Sequence, residues 1–238
     1  MKTVRRNQHR GFTLIELLVV IFILGVMMTM ASTILRDSGK GQGMESAVTQ
    51  LESMVHEARA MAMGNETCTR LVIVNEPRDR ERHLRYMTIQ LLSKSDKNYD
   101  GTDVAPEGRW TTVSSGALLP PGIFFSPHYS RPLDGDSLDT MLGDDTARLS
   151  NKGYTRILYA EFDEKGRFMH PQAGPDSTTL PQRLVLIPGR LSDSNRRARD
   201  GVLPSELDSR KRPLGARGLV VYPSGNTVRL RTIDQIEH

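Results

Sequence analysis

Residues 5–32 read RRNQHRGFTLIELLVVIFILGVMMTMAS, and this stretch decides the fold. A basic leader (Arg5, Arg6 and Arg10, with Lys2 before them) runs into an apolar segment, 12–31, in which Glu16 is the only charged residue. As a helix rising about 1.5 Å per residue, that segment spans roughly 30 Å, the hydrocarbon thickness of a bilayer. The positive charge lies wholly on the N-terminal side, so the leader is expected to stay cytoplasmic while the body crosses to the other face. A secretory signal has a shorter apolar region, about 7–15 residues. Thr29-Met30-Ala31 nonetheless offers a small-x-small cleavage site that would leave Ser32 as the first residue. A plain anchor accounts for length and orientation but not for the carboxylate. An acid at mid-membrane costs about 2.5–3.5 kcal/mol, which marks it as a functional position. Neither reading explains why a glycine, Gly11, immediately precedes the apolar run.

The 238 residues suffice for one sizeable domain with an appendage, or for two small domains. An apolar content of 37% with 25% charged residues fits a folded, water-facing body. Only one run is long and apolar enough for a bilayer, so the chain crosses at most once. The net charge of +4 depends on the leader, because removing Lys2, Arg5, Arg6 and Arg10 leaves 28 Lys+Arg against 28 Asp+Glu. A body without the leader is neutral, and its pI gives no reason to expect a polyanionic partner. The single cysteine, Cys68, excludes an intramolecular disulfide and reads as a small buried or half-buried residue within TCTRLVIV.

Gly11-Phe12-Thr13-Leu14-Ile15-Glu16-Leu17-Leu18-Val19-Val20-Ile21 resembles the cleavage and methylation motif of type IV pilins and type II secretion pseudopilins. The resemblance implies that a membrane-embedded prepilin peptidase cuts between Gly11 and Phe12 on the cytoplasmic side. It also implies that the same enzyme N-methylates Phe12, leaving Glu16 as the fifth mature residue. The physics is consistent with those implications. Cleavage frees an ammonium on Phe12 at the membrane interface, and Glu16 lies one helical turn deeper. In a staggered filament the Glu16 of one subunit can meet the Phe12 ammonium of its neighbour. Such pairing offsets the desolvation of both charges and selects one register.

Further along, DSGKGQG (37–43) carries three alternating glycines, which predict a break or kink in the helix. Helical periodicity resumes at Met44. Ala47, Val48, Leu51, Met54, Val55, Ala58 and Ala62 form one apolar stripe, a pattern that packs against a sheet. After Asn65 the period becomes two. Residues 69–74, 83–92, 109–113, 155–163, 182–188, 218–223 and 226–231 read as strands. Asp163-Glu164-Lys165-Gly166 and Ser224-Gly225-Asn226 read as hairpin turns, and two long polar loops are expected near 126–153 and 189–217.

The predicted fold is therefore α+β and pilin-like: a long N-terminal transmembrane and assembly helix followed by an antiparallel, β-rich globular head. Its segments are a cleaved leader (1–11), a transmembrane half-helix (12–35), a Gly-broken linker with an amphipathic helix (36–64), and a periplasmic head (65–238). HEARAMAMGNETCTRLVIV, FDEKGRF and VVYPSGNTVRLR are similar, more weakly, to features of the minor pseudopilins called general secretion pathway protein H and their fimbrial-biogenesis relatives. This likeness favours a minor subunit.

Asp96-Lys97-Asn98-Tyr99-Asp100-Gly101-Thr102-Asp103-Val104-Ala105-Pro106-Glu107 fits the calcium-loop template. Asp96, Asn98, Asp100, the Thr102 carbonyl and Glu107 would be the oxygen ligands, and calcium is the one cofactor the sequence offers. Against it, a strand precedes the loop, Pro106 and Gly108 forbid an ordinary exiting helix, and Asp-, Asn- and Gly-rich turns occur between strands without any ion. Asp134, Asp136, Asp139, Asp144 and Asp145 read as a solvated acidic loop. Loop 189–218 holds Arg190, Arg196, Arg197, Arg199, Arg210, Lys211, Arg212 and Arg217 against four acids. Some fimbrial minor pilins bind DNA through such loops, but without interleaved aromatics this one does not predict a nucleic-acid partner.

No nucleophile elbow, phosphate loop, dinucleotide glycine pattern or HExxH occurs, so no enzyme is expected. The expected partners are other pilins or pseudopilins, prepilin peptidase and an inner-membrane assembly platform. The leading expectation is a minor pseudopilin-like subunit of a type II secretion pseudopilus. The alternatives are a minor pilin of a type IV pilus or DNA-uptake system, and a signal-anchored periplasmic enzyme.

Overall fold

The computed structural model describes residues 14–93, 109–130, 143–150, 153–169, 180–192 and 201–231, with the side chains of 29–41, 109, 144 and 150 outside the description. The chain divides into two compact units, Met1–Gln42 and Gly43–His238.

Helix α1 (Leu14–Asn65) has 52 residues and supplies both units. The break expected at 37–43 is corrected, because the backbone stays helical through DSGKGQG. Glycine lowers helix propensity by about 1 kcal/mol but keeps its N–H, so the i→i−4 ladder survives where proline would interrupt it. The helix ends with Glu66 in the left-handed region (φ 48) and with the Thr67 amide donating to the Ala62 carbonyl at 3.2 Å. That six-to-one bond caps the C-terminus as a Schellman motif does, without the usual glycine. The Asn65 side-chain amide adds a bond to the Met61 carbonyl at 2.8 Å.

The strands that follow are β1 (Thr69–Val74), β2 (Tyr86–Ser93), β3 (Arg109–Thr112), β4 (Ala117–Leu118), β5 (Ile123–Phe125), β6 (Gly143–Ser150), β7 (Gly153–Phe162), β8 (Phe168–Met169), β9 (Gln182–Leu191), β10 (Val202–Pro204), β11 (Arg217–Val221) and β12 (Thr227–Leu230). They form a seven-stranded sheet in the order β3-β2-β1-β7-β6, with β4 on β2 and β8 on β7. A five-stranded sheet has the order β10-β9-β11-β12, with β5 on β9. Every pairing is antiparallel. The α+β expectation of a helix followed by an antiparallel β-rich head is met.

All of the predicted apolar stripe on α1 is buried, with no member more than 5% exposed. It packs into one contiguous core with Leu71, Ile73, Ile89 and Phe162 of the first sheet and Leu184, Leu186, Leu219 and Val221 of the second. Period two explains the choice of residues on β1. Leu71 and Ile73 point to α1, while Arg70 and Val72 take the opposite face, where Val72 packs with Ala147 and Ile157. β1 is hydrogen-bonded on both edges, and the Thr69 hydroxyl donates to the Ala58 carbonyl of α1 at 2.7 Å.

Several boundaries differ from expectation. β2 starts at Tyr86 because 83–85 form a turn with Leu84 at φ 54 and fully buried. The first long loop contains β6, and the second contains the end of β9, then β10, and a bridge between Leu207 and Pro213. Both hairpin turns are present. Gly225 closes the second one at φ 78, a conformation that L side chains rarely adopt. In mid-sheet, Gly218 of β11 faces Val185 and Leu230, and a Cβ there would overlap the Leu184 carbonyl oxygen. Backbone cannot rotate away as a side chain can. Gly218→Ala is therefore expected to destabilise the protein by about 1–3 kcal/mol. Urea unfolding of the full chain in detergent, read by the fluorescence of Trp110, the single tryptophan, checks this; an unchanged midpoint counts against it.

Candidate functional site

The N-terminal part of α1 is apolar on every side. From Leu14 to Met28 its large side chains are all exposed, ranging from 83% at Leu14 to 43% at Val26. Glu16 stands in the first turn as the only acid there. A helix this uniformly hydrophobic is stable only when lipid or other helices cover it. Leu18, Ile21, Phe22 and Val26 border a shallow groove at Gly25, where no atom lies within 4 Å of the place a Cβ would take. Among the described residues no helix is long and apolar enough to cross a membrane; the described apolar side chains end at Met28, and those of 29–41 lie outside the description. Gly11 and Phe12, the expected cleavage pair, also lie outside the described residues.

The expected calcium loop, with Asp96, Asn98, Asp100, Thr102 and Glu107, lies outside the described residues too. Among the described residues no group of three or more His, Cys, Asp or Glu side chains is placed to hold a metal ion. Of the acidic cluster, Asp134, Asp136 and Asp139 lie outside the description, whereas Asp144 and Asp145 are corrected from loop to strand β6.

Asp145 belongs to a polar centre that pattern reasoning missed. Arg70 of β1, only 3% exposed, stands opposite Gln90 of β2 and Glu161 of β7. Its Nε donates to Gln90 Oε1 at 2.8 Å and its Nη1 to Asp145 Oδ2 at 2.9 Å. Gln90 Nε2 donates onward to the Thr112 hydroxyl at 3.2 Å. The guanidinium lies 4.4 Å from the Trp110 ring centroid and 5.1 Å from that of Tyr159. Burial pushes the Arg70 pKa down, and the Asp145 hydrogen bond and charge oppose that. Burial also raises the Glu161 carboxyl, with Arg70 acting against it, and raises the Tyr159 phenol, with Glu161 adding to the effect. This is a buried cation satisfied by a carboxamide, a carboxylate and two aromatic faces. It has no nucleophile and no open coordination position, so its chemistry is that of a structural pin. The available clue was an arginine inside the otherwise apolar run RLVIV.

A second polar set joins α1 to the β11–β12 hairpin. Arg229 reaches Glu52 with Nε at 2.9 Å and Glu45 with Nη1 at 2.7 Å. Arg217 Nη1 reaches the other Glu45 oxygen at 2.6 Å. Hydrogen bonding to Glu52 and attraction to both acids raise the Arg229 pKa. Arg59 bonds Asn226 at 3.0 Å one end of this strip, and His56 meets the Thr227 hydroxyl at 3.2 Å. The basic loop is correspondingly less basic than its sequence, since Arg217 is committed to Glu45 and Arg212 to Asp208 at 2.7 Å. Arg196, Arg197 and Arg199 lie outside the described residues.

Residues 6–32 match the family of the prokaryotic N-terminal methylation motif, which makes the N-terminal segment type IV pilin-like. No curated protein and no solved structure matches the chain.

Proposed function

We propose that the chain is a minor pseudopilin-like structural subunit of a type II secretion pseudopilus. One observation carries the reading: a methylation-motif segment that continues into an exposed, wholly apolar helix with a single carboxylate in its first turn. On this reading residues 12–31 insert once into the inner membrane, with the leader cytoplasmic and the head periplasmic. Prepilin peptidase removes residues 1–11 and methylates Phe12. The assembly platform then draws α1 into a filament with other pilins or pseudopilins. The protein works by assembly, and neither catalysis nor a cofactor enters its action; calcium in 96–107 would be a stabilising addition.

Mass spectrometry of the N-terminus in membrane fractions tests this directly. The expected first residue is N-methylated Phe12. A chain beginning at Ser32 would show a discarded signal, removing the assembly helix and favouring a signal-released periplasmic enzyme instead. A minor pilin of a type IV pilus or DNA-uptake system shares the methylated Phe12. The commitment of Arg212 and Arg217 to Asp208 and Glu45 weighs against its DNA-binding form.

A further inference from the structure

β6 is the long edge of the larger sheet. β7 pairs with one side of it, and among the described residues no strand pairs with the other. The remaining edge strands are guarded: β3 and β12 have four residues each, and β10 has three, the last of them proline. β6 has eight, GDDTARLS, long enough to template a further strand. The Asn75 amide donates to the Arg156 carbonyl at 2.8 Å, so Arg156 directs its backbone toward β1. Thr146 is the register partner of Arg156, and its own N–H and C=O therefore point to the free edge. Its amide is held there by Asp145 Oδ1 at 2.6 Å, a carboxylate standing where a neighbouring strand's carbonyl would be.

The order of charges along β6 selects the occupant. Two copies of one strand that meet antiparallel do so about a two-fold axis, so positions face each other symmetrically about a central residue. Centred on Asp145 or Arg148, that residue faces its own like charge. Centred on Ala147, Asp145 faces Leu149 and Arg148 faces Thr146, and no charge meets its opposite. Centred on Thr146, Asp144 of each copy faces Arg148 of the other, threonine faces threonine, and Asp145 faces Ala147. Opposite charges and paired threonines are favourable cross-strand combinations, at about 0.2–1 kcal/mol each. Thr146 and Arg148 are exposed, as this pairing requires. Asp145 gives up the Thr146 amide but keeps Arg70 through Oδ2, since the alanine it faces offers no rival cation.

We propose that β6 is a docking edge for the β6 of a second copy of this chain, in the register centred on Thr146, joining the two larger sheets into one. The Thr146 amides then donate to each other's carbonyls. The pairing does not rest on the assembly reading, since β6 lies within Gly43–His238.

Cysteine cross-linking of the full chain in detergent micelles, in a Cys68→Ser background, tests this. Facing Cα atoms in such a pair lie about 5.5 Å apart, within disulfide reach, so Thr146→Cys is expected to give a disulfide-linked dimer under mild oxidation. Adding Arg148→Asp sets like charges opposite each other twice and lowers the yield about tenfold at limiting concentration. Asp144→Arg together with Arg148→Asp restores it, which a folding defect would not allow. Absence of the Thr146→Cys dimer overturns the proposal and leaves the edge to another chain or to none. Equal cross-linking through the exposed Tyr154→Cys on β7, or a yield indifferent to the charge reversal, overturns it as well.

Discussion

Glu16→Leu is expected to leave the protein in the membrane fraction while abolishing its incorporation into filaments. Leucine in place of glutamate makes the exposed apolar face of α1 more hydrophobic, so insertion is unimpaired or improved. On the proposed assembly, what is lost is the partner for the Phe12 ammonium of the neighbouring subunit. Removing one member of a buried ion pair costs about 3–5 kcal/mol, because the other charge is left desolvated. That is about a hundredfold or more in an association constant. Co-purification of the variant with sheared filaments, against a membrane-fraction control, reads the effect. Wild-type recovery in filaments would show that Glu16 does not set the register. Glu16→Ala gives the same outcome if the missing charge, rather than the added bulk, is responsible.

Arg70→Leu gives the second large effect, this time on stability. The substitution leaves the half-buried Glu161 with no opposing charge on the facing strand and takes the hydrogen bond from Asp145. A loss of about 3 kcal/mol is expected at neutral pH, measured by urea unfolding. Its pH dependence distinguishes this cause from a packing defect. Burial raises the Glu161 carboxyl above its ordinary value, and Arg70 restrains the rise, so the variant raises it further. A group with a raised folded-state pKa penalises the folded chain only when the pH exceeds that pKa. The deficit of Arg70→Leu should therefore shrink as the pH falls toward the ordinary glutamate range, about 4.3. A deficit constant across that interval would assign the loss to packing around Trp110 and Tyr159 instead.

Most of the head was legible wherever hydrophobic alternation was strong. The seven predicted strands correspond to β1, β2, β3, β7, β9, β11 and β12, and the stripe on α1 is the core face. The strands that escaped notice are short or peripheral. β6 reads GDDTARLS, with only Ala147 and Leu149 apolar, and it forms because β7 offers it a register from Tyr159 back to Gly153. β4, β5, β8 and β10 have two or three residues each, too few for a period to show. At 37–43 local propensity argued for a break that the helical ladder did not make. Glu16 stood out because one charge in an apolar run is conspicuous. Arg70 did not, because a lone charge in a strand ordinarily faces water. Only the pairing of β1 on both edges, with Trp110 and Tyr159 above it, makes that face an interior.

The position of β1 has a mechanical consequence. It is the first strand after α1, tied to that helix by the Thr69–Ala58 hydrogen bond, and it lies in the middle of the larger sheet. Tension that enters the head through α1 thus reaches a strand held by six register pairs on one side and five on the other. An edge strand under load can peel away one bond at a time. A central strand leaves only when both of its ladders fail together, so a pull on β1 along the helix meets both ladders at once.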